Sequence, residues 1–291
     1  MGHSTQQQAR SNLLGISFDA LTMSQAVARC TDALERDGYL SIGVVNAAKI
    51  VAMRRDFRLR QAVTECRMIL ADGQSVVWAS RMLRMPLPER VTGIDLFQAL
   101  LAEADRRGLR VYFLGARRDV LTRMLREIEH KYPELSVAGV RDGYFREEEE
   151  PEVAEEIRAA GADLLFLGMS SPKKELFLSK WGEATGARVA HGVGGSFDIL
   201  AGLTRRAPIW YQEHGLEWLY RAQQEPLRLG RRYLTTNVSF MVMLAREVIS
   251  SHAPRLAVLR STPSAGRAPE ADTSSVLIAV SPTSTGPGEG K

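Results

Sequence analysis

Short apolar runs and longer amphipathic stretches alternate along most of the chain. LSIGVVN (Leu40 to Asn46) reads as a buried strand, and further strands are predicted at Arg67 to Ala71, Leu109 to Gly115, Ser136 to Arg141, Asp163 to Gly168 and Ala187 to Gly192. Helical periodicity fills Gln74 to Leu83, Asp95 to Arg106, Asp119 to Lys131, Glu149 to Ala160 and Lys173 to Glu183. An earlier helix, opened by Thr22 and Gln25 as a capping box, runs through about Arg36. Apolar strands separated by amphipathic helices imply parallel neighbours joined by crossovers, hence an α/β, Rossmann-like parallel sheet with helices on both faces. Ligands of such sheets bind beyond the carboxyl ends of the strands.

The pattern divides the chain into a flexible N-terminus over 1–11, a Rossmann-like body over 12–204, and a helical appendage over 205–250. Residues 251–291, rich in Ser, Thr, Pro and Gly, read as a disordered tail. At 291 residues the chain holds one main core. Its net charge is only +4, but Arg205, Arg206, Arg221, Arg228, Arg231 and Arg232 gather in the appendage. Such a cluster suits phosphates or a membrane headgroup, and no nucleic-acid-binding motif accompanies it. Cys30 and Cys66 show no CxxC spacing, which fits a reducing cytoplasm. The start of the chain lacks a signal-peptide pattern, and no apolar stretch is long enough to span a bilayer, so membrane contact is expected to be peripheral.

Candidate chemistry gathers just after the strands. Asp72-Gly73 directly follows a strand, where the carboxylate can serve as a general base, although Asp-Gly is also ordinary turn vocabulary. Arg90, in a loop that Thr92 or Asp95 could end as a helix cap, can clamp a diphosphate or simply be a solvated arginine. The loop Gly168 to Glu175 contains Ser171 and leads into a helix whose free N–H groups, reinforced by the Lys174 ammonium, favour an anionic leaving group. A second loop, Gly192 to Asp198, lets the backbone approach a ligand at Gly194, Gly195 and Ser196.

Several familiar signatures are missing from the sequence. It contains no GxxxxGK[ST], no GxGxxG after a strand, no GxSxG and no Asp-x-Asp, and its five histidines lack metal-ligand spacing. No metal and no cofactor is therefore expected. A sugar diphosphate would have to be neutralised by positive side chains and helix ends.

The ordered segments VVNAAKIVAMRRD, LADGQSVVWASRMLRMPLPERVTGIDL, VYFLGA, RDGYF, LFLGMSSPKKE, HGVGGSFDILAG and RRAPIWYQEHGLEWLYRAQQEPLRLGRRYL resemble the WecG/TagA/CpsF family, glycosyltransferase family 26, over roughly residues 12 to 250. The resemblance implies an inverting, metal-independent transferase with a UDP-sugar donor and a polyprenyl-diphosphate-linked acceptor, acting at the inner face of the cytoplasmic membrane. By motif position it makes Asp72 the base, Asn46 a substrate contact near it, and Arg90 the diphosphate arginine. Gly194, Gly195, Ser196 and Asp198 fall in the nucleotide-side loop. Arg221, Arg228 and Arg231 match arginines of an appendage that closes the active site and engages the membrane. Trp210, Tyr211, Trp218 and Tyr220 either sit at headgroup level or pack the appendage. The sequence departs from the family pattern at Lys174, commonly an amide, and at Val44, often a threonine. UDP-N-acetylmannosamine, its uronic acid and UDP-glucose all stay open as donors, as does homo-oligomerisation. The alternative function is a catalytically silent nucleotide-sugar-binding scaffold of a polysaccharide assembly complex, which donor turnover would separate from the enzyme.

Overall fold

The computed structural model of the protein describes residues 10–36, 38–224 and 231–252, all within one compact unit, Met1–Ala253. The second unit, Pro254–Lys291, and so nearly all of the predicted tail, lies outside the described residues. The chain opens with an antiparallel hairpin, β1 (Arg10–Leu13) and β2 (Ile16–Asp19), starting inside the segment predicted to be flexible. Leu14 and Gly15 both have positive φ, as a two-residue hairpin turn requires, and burial of Leu14 in the core offsets its unfavourable backbone. Helix α1 (Met23–Glu35) follows, with the predicted Thr22–Gln25 capping box in place.

Next come β3 (Leu40–Val45), α2 (Ala47–Met53), α3 (Phe57–Thr64), β4 (Met68–Ala71), α4 (Gln74–Met82), α5 (Gly93–Arg107) and β5 (Arg110–Gly115). After these lie α6 (Arg118–Lys131), β6 (Ser136–Arg141), α7 (Glu150–Ala160), β7 (Leu164–Gly168), α8 (Lys173–Trp181), β8 (Val189–Gly192) and α9 (Ser196–Leu200). Every predicted strand and helix appears within two residues of its expected ends. Not predicted were the hairpin, α2 and α3; Asn46 and Asp56, which cap α2 and α3 through Lys49 N and Leu59 N, were the available signals.

Strands β3 to β8 form one parallel sheet in the order β4-β3-β8-β7-β5-β6. Alternate residues of a strand point to opposite faces, and the cores follow that period. Val111, Phe113, Leu164 and Phe166 enter one core with α1, α5, α6 and α9, whereas Tyr112, Leu114, Leu165 and Leu167 enter another with α7 and α8. Val45, Ile69 and Ala71 share a third core with the hairpin, α2, α3 and α4. Each fully buried side chain of this size stabilises the fold by about 1.5–3 kcal/mol. The strand order reverses at the junction of β3 and β8, which opens a crevice beyond their carboxyl ends.

Three further helices come from the predicted appendage: α10 (Ile209–Glu213), α11 (Glu217–Gln224) and α12 (Arg231–His252). The last is no loose attachment, since Phe240 and Leu244 are buried in the core built around α2. Among the described residues no helix is long and apolar enough to cross a membrane.

Candidate active site

A cavity of about 180 Å³ occupies the crevice at the carboxyl ends of β3, β4 and β8. Its body side is lined by Asn46, Asp72, Gly73, Arg90, Gly195 and Ser196, and its other side by Gly215, Glu217 and Trp218 from around α11 and by Asn237 of α12.

Backbone pairing dictates where Asp72 stands. Its N–H extends the sheet by donating to Val45 O at 3.0 Å, and Val91 N donates to Ala71 O at 2.9 Å, laying residues 91–93 beside the end of β4. Gly93 is the first residue of α5, capped by Thr92, and its N–H reaches Asp72 Oδ1 at 3.1 Å. The carboxylate thus faces the positive end of a 15-residue helix, which stabilises its charge. Asn46 caps α2, its Oδ1 accepting from Lys49 N at 3.0 Å, while it also lines the cavity.

Arg90 is paired with Glu217 of α11, Nη1 to Oε2 at 3.2 Å, both side chains partly buried. Arg206 makes a second tie, gripping Asp95 with two contacts of 2.6 and 2.8 Å. Burial would raise the Asp95 carboxyl, but hydrogen bonds from Arg206 and Thr92 hold it below the usual range. At Gly215, φ is +67° and an added Cβ would stand 2.6 Å from Gln74 Cβ, so only glycine brings this turn against α4. Within the appendage Trp210 stacks on His214 and Tyr211 packs against Tyr220.

The β8–α9 turn is tied to β7: Val193 N and Gly194 N both donate to Leu167 O, at 2.9 and 3.1 Å. Gly194 takes φ +56° to make that turn, and Ser196 Oγ donates to Val193 O at 2.9 Å.

Behind this wall lies a buried charge cluster that the sequence reading did not foresee. Lys49 Nζ donates to Val44 O and to Glu175 Oε1, both at 2.7 Å, and Lys174 Nζ meets the same oxygen at 2.9 Å. Burial would raise Glu175, but the two ammonium groups outweigh it and hold the carboxyl down at about 2. Lys174 is itself pushed down, first by burial and then by Lys49. The signal was Lys49, one turn into a helix whose cap ends a buried strand.

The structure therefore gathers Asn46, Asp72, Gly73, Arg90, Gly195 and Ser196 in one cavity. Lys174 stands behind that wall on Glu175, Ser171 is exposed, Gly194 shapes the turn, and Asp198 accepts at its backbone oxygen from Leu203 N and Thr204 N beyond α9; neither Gly194 nor Asp198 lines the cavity. Arg228 and the side chains of Arg221 and Arg231 lie outside the described residues. Glu217, Trp218 and Asn237 are lining residues that sequence reasoning did not place there, although Glu217 and Trp218 sit inside the GLEWLYR string.

A family model described as "Glycosyl transferase WecG/TagA/CpsF family" matches residues 11–254. A curated relative from Bacillus spizizenii, named N-acetylglucosaminyldiphosphoundecaprenol N-acetyl-beta-D-mannosaminyltransferase, is 36% identical over 174 residues, which cover 60% of this chain and 67% of the relative.

Proposed function

The protein belongs to the WecG/TagA/CpsF family of glycosyltransferases, and from that premise we propose that it moves N-acetylmannosamine from a UDP donor to N-acetylglucosamine carried on a polyprenyl diphosphate. The relative's name supports this sugar and acceptor over the uronic acid or glucose. The observation that carries the reading is that Asp72 and Arg90 face one cavity at the strand-order reversal.

Asp72 takes the proton of the acceptor hydroxyl as that oxygen bonds to the anomeric carbon. The bond from that carbon to the diphosphate oxygen breaks on the opposite face, and UDP departs with the electron pair, giving inversion in one displacement. Arg90 neutralises the developing diphosphate charge, released from Glu217 as the donor arrives. Gly195 and Ser196 offer the backbone of the β8–α9 turn to the nucleotide side. Lys174 contributes through its positive field from behind the wall rather than by contact, and the reaction needs no metal.

The acceptor is lipid-borne, so the cavity mouth has to meet a bilayer surface. Exposed Trp78 and Met82 lie on α4 and Val238 and Met241 on α12, two elements that border the cavity, and Ile209 and Trp210 are exposed on α10 just before the Gly215 turn, which supports peripheral attachment at the cytoplasmic face.

The test is UDP release by the purified full chain with UDP-N-acetylmannosamine and a lipid-diphosphate-linked N-acetylglucosamine. Acceptor-dependent release is expected, unchanged by EDTA and reduced about 10²- to 10⁴-fold in Asp72→Asn. Turnover at the wild-type rate in that variant would remove Asp72 from the mechanism; loss of release in EDTA would remove the metal-free chemistry.

A further inference from the structure

His191 is fully buried in β8, between Ile42 of β3 and Phe166 of β7, at a position where burial alone would call for an aliphatic residue. One ring nitrogen, Nε2, lies 3.0 Å from Gly93 O; the other, Nδ1, is buried without a hydrogen-bond partner. A carbonyl oxygen only accepts, so Nε2 carries the proton and the ring's single donor is committed to Gly93. Burial pushes the ring pKa down to about 4 although the backbone of Gly93 and of Ile42 pulls it upward, and the ammonium groups of Lys49 and Lys174 add to the lowering, so it is neutral under ordinary conditions.

Gly93 is also the residue whose N–H holds Asp72 Oδ1. A Cβ added at Gly93 would press on Val44 at 3.2 Å and meet His191 Cε1 at an ordinary contact distance of 3.8 Å, so the imidazole lies beside the glycine as well as bonding to it. We propose that His191 is a positioning residue for the reaction: by fixing Gly93 at the start of α5, it fixes the N–H that orients the Asp72 carboxylate into the cavity. This rests on the reading of Asp72 as the base. The costs accepted at His191, an orphaned nitrogen and a polar ring in a core, are what a carboxylate fixed through Gly93 would account for.

The assay is the one above, on the full chain. His191→Met fills the space without a donor; His191→Gln puts an amide N–H near the Nε2 position. The Met variant is expected to lose about ten- to a hundredfold in kcat with little change in donor KM, because misorientation of a reacting group acts on the chemical step, and Gln is expected to restore most of it. Wild-type kcat in the Met variant overturns the proposal. So does equal loss in Met and Gln, which would mean packing alone. Nitrogen-15 NMR of the unmodified protein tests it without any substitution: a neutral Nε2–H tautomer for His191 is expected, and the Nδ1–H tautomer overturns it. Asp72→Asn, assayed in parallel, keeps the two readings apart, since full activity there removes the base whatever His191 does.

Discussion

The two walls of the cavity are built differently. On the body side, Asp72 and the β8–α9 turn are fixed by backbone bonds at strand ends, with a buried Lys49–Glu175–Lys174 cluster and a buried histidine behind them. On the other side, α10 and α11 are short, keep Ile209 and Trp210 exposed, and reach the body through the Arg90–Glu217 and Arg206–Asp95 pairs. One wall is fixed by backbone pairing at strand ends, and the α10–α11 part of the other meets the body through side-chain ion pairs. Chemistry that needs sub-ångström placement sits on the first, and the surface that has to admit a lipid-borne substrate belongs to the second. Substitutions in the buried groups behind the body wall should therefore cost stability, while those on the α10–α11 side should leave the fold of the body intact.

The sharpest break is Glu175→Ala, which leaves two buried ammonium groups without a counter-charge. A loss of about 3–5 kcal/mol is expected in urea unfolding; a loss below 1 kcal/mol would show that water reaches the cluster. Acidification gives the next largest effect. The His191 folded pKa, about 4, lies below the ordinary 6.5, so between these values the unfolded chain binds a proton that the folded chain refuses. Its contribution is present in full above pH 6.5 and is lost as pH falls towards 4, about 3 kcal/mol over the window. Unfolding across that range should show a steeper pH slope in the wild type than in His191→Gln, and equal slopes would contradict the burial of a neutral ring.

The same division explains what could be read from the sequence. The sheet was legible because its strands are buried on both faces and its helices on one, so periodicity reported them directly. The hairpin was not, because its turn places Leu14, no usual turn residue, at positive φ and relies on the core to hold it there. Asp72, Arg90 and the glycine loop could be found as residues following strands. Lys174 could be read as a cation beside the leaving group, because sequence shows a lysine in a βα loop but not the Glu175 carboxylate it turns to. His191 was set aside as one scattered histidine, since its partner Gly93 is 98 positions away.

On the second wall, Gly215→Ala forces a side chain into a left-handed backbone and against Gln74. The local cost is about 1–2 kcal/mol, borne by the α10–α11 turn and not by the sheet. Proteolysis between Ile209 and Gln224 should accelerate while the urea midpoint stays near that of the wild type. A matching fall in the midpoint would instead make this wall part of the same cooperative unit as the body.

The smallest energetic change should have the clearest kinetic signature. Glu217→Gln keeps the shape of α11 but removes the charge that holds Arg90. The pair is only partly buried and its net worth is about 1 kcal/mol or less, so the unfolding midpoint should barely move. Arg90 would no longer be shared between a protein carboxylate and the donor diphosphate, and the donor KM should fall severalfold, with the gain shrinking as salt rises. If Glu217 instead holds Arg90 in its working position, the same substitution will raise KM or lower kcat at every salt concentration. The sign of that one change decides whether α11 competes with the donor for Arg90 or presents Arg90 to it.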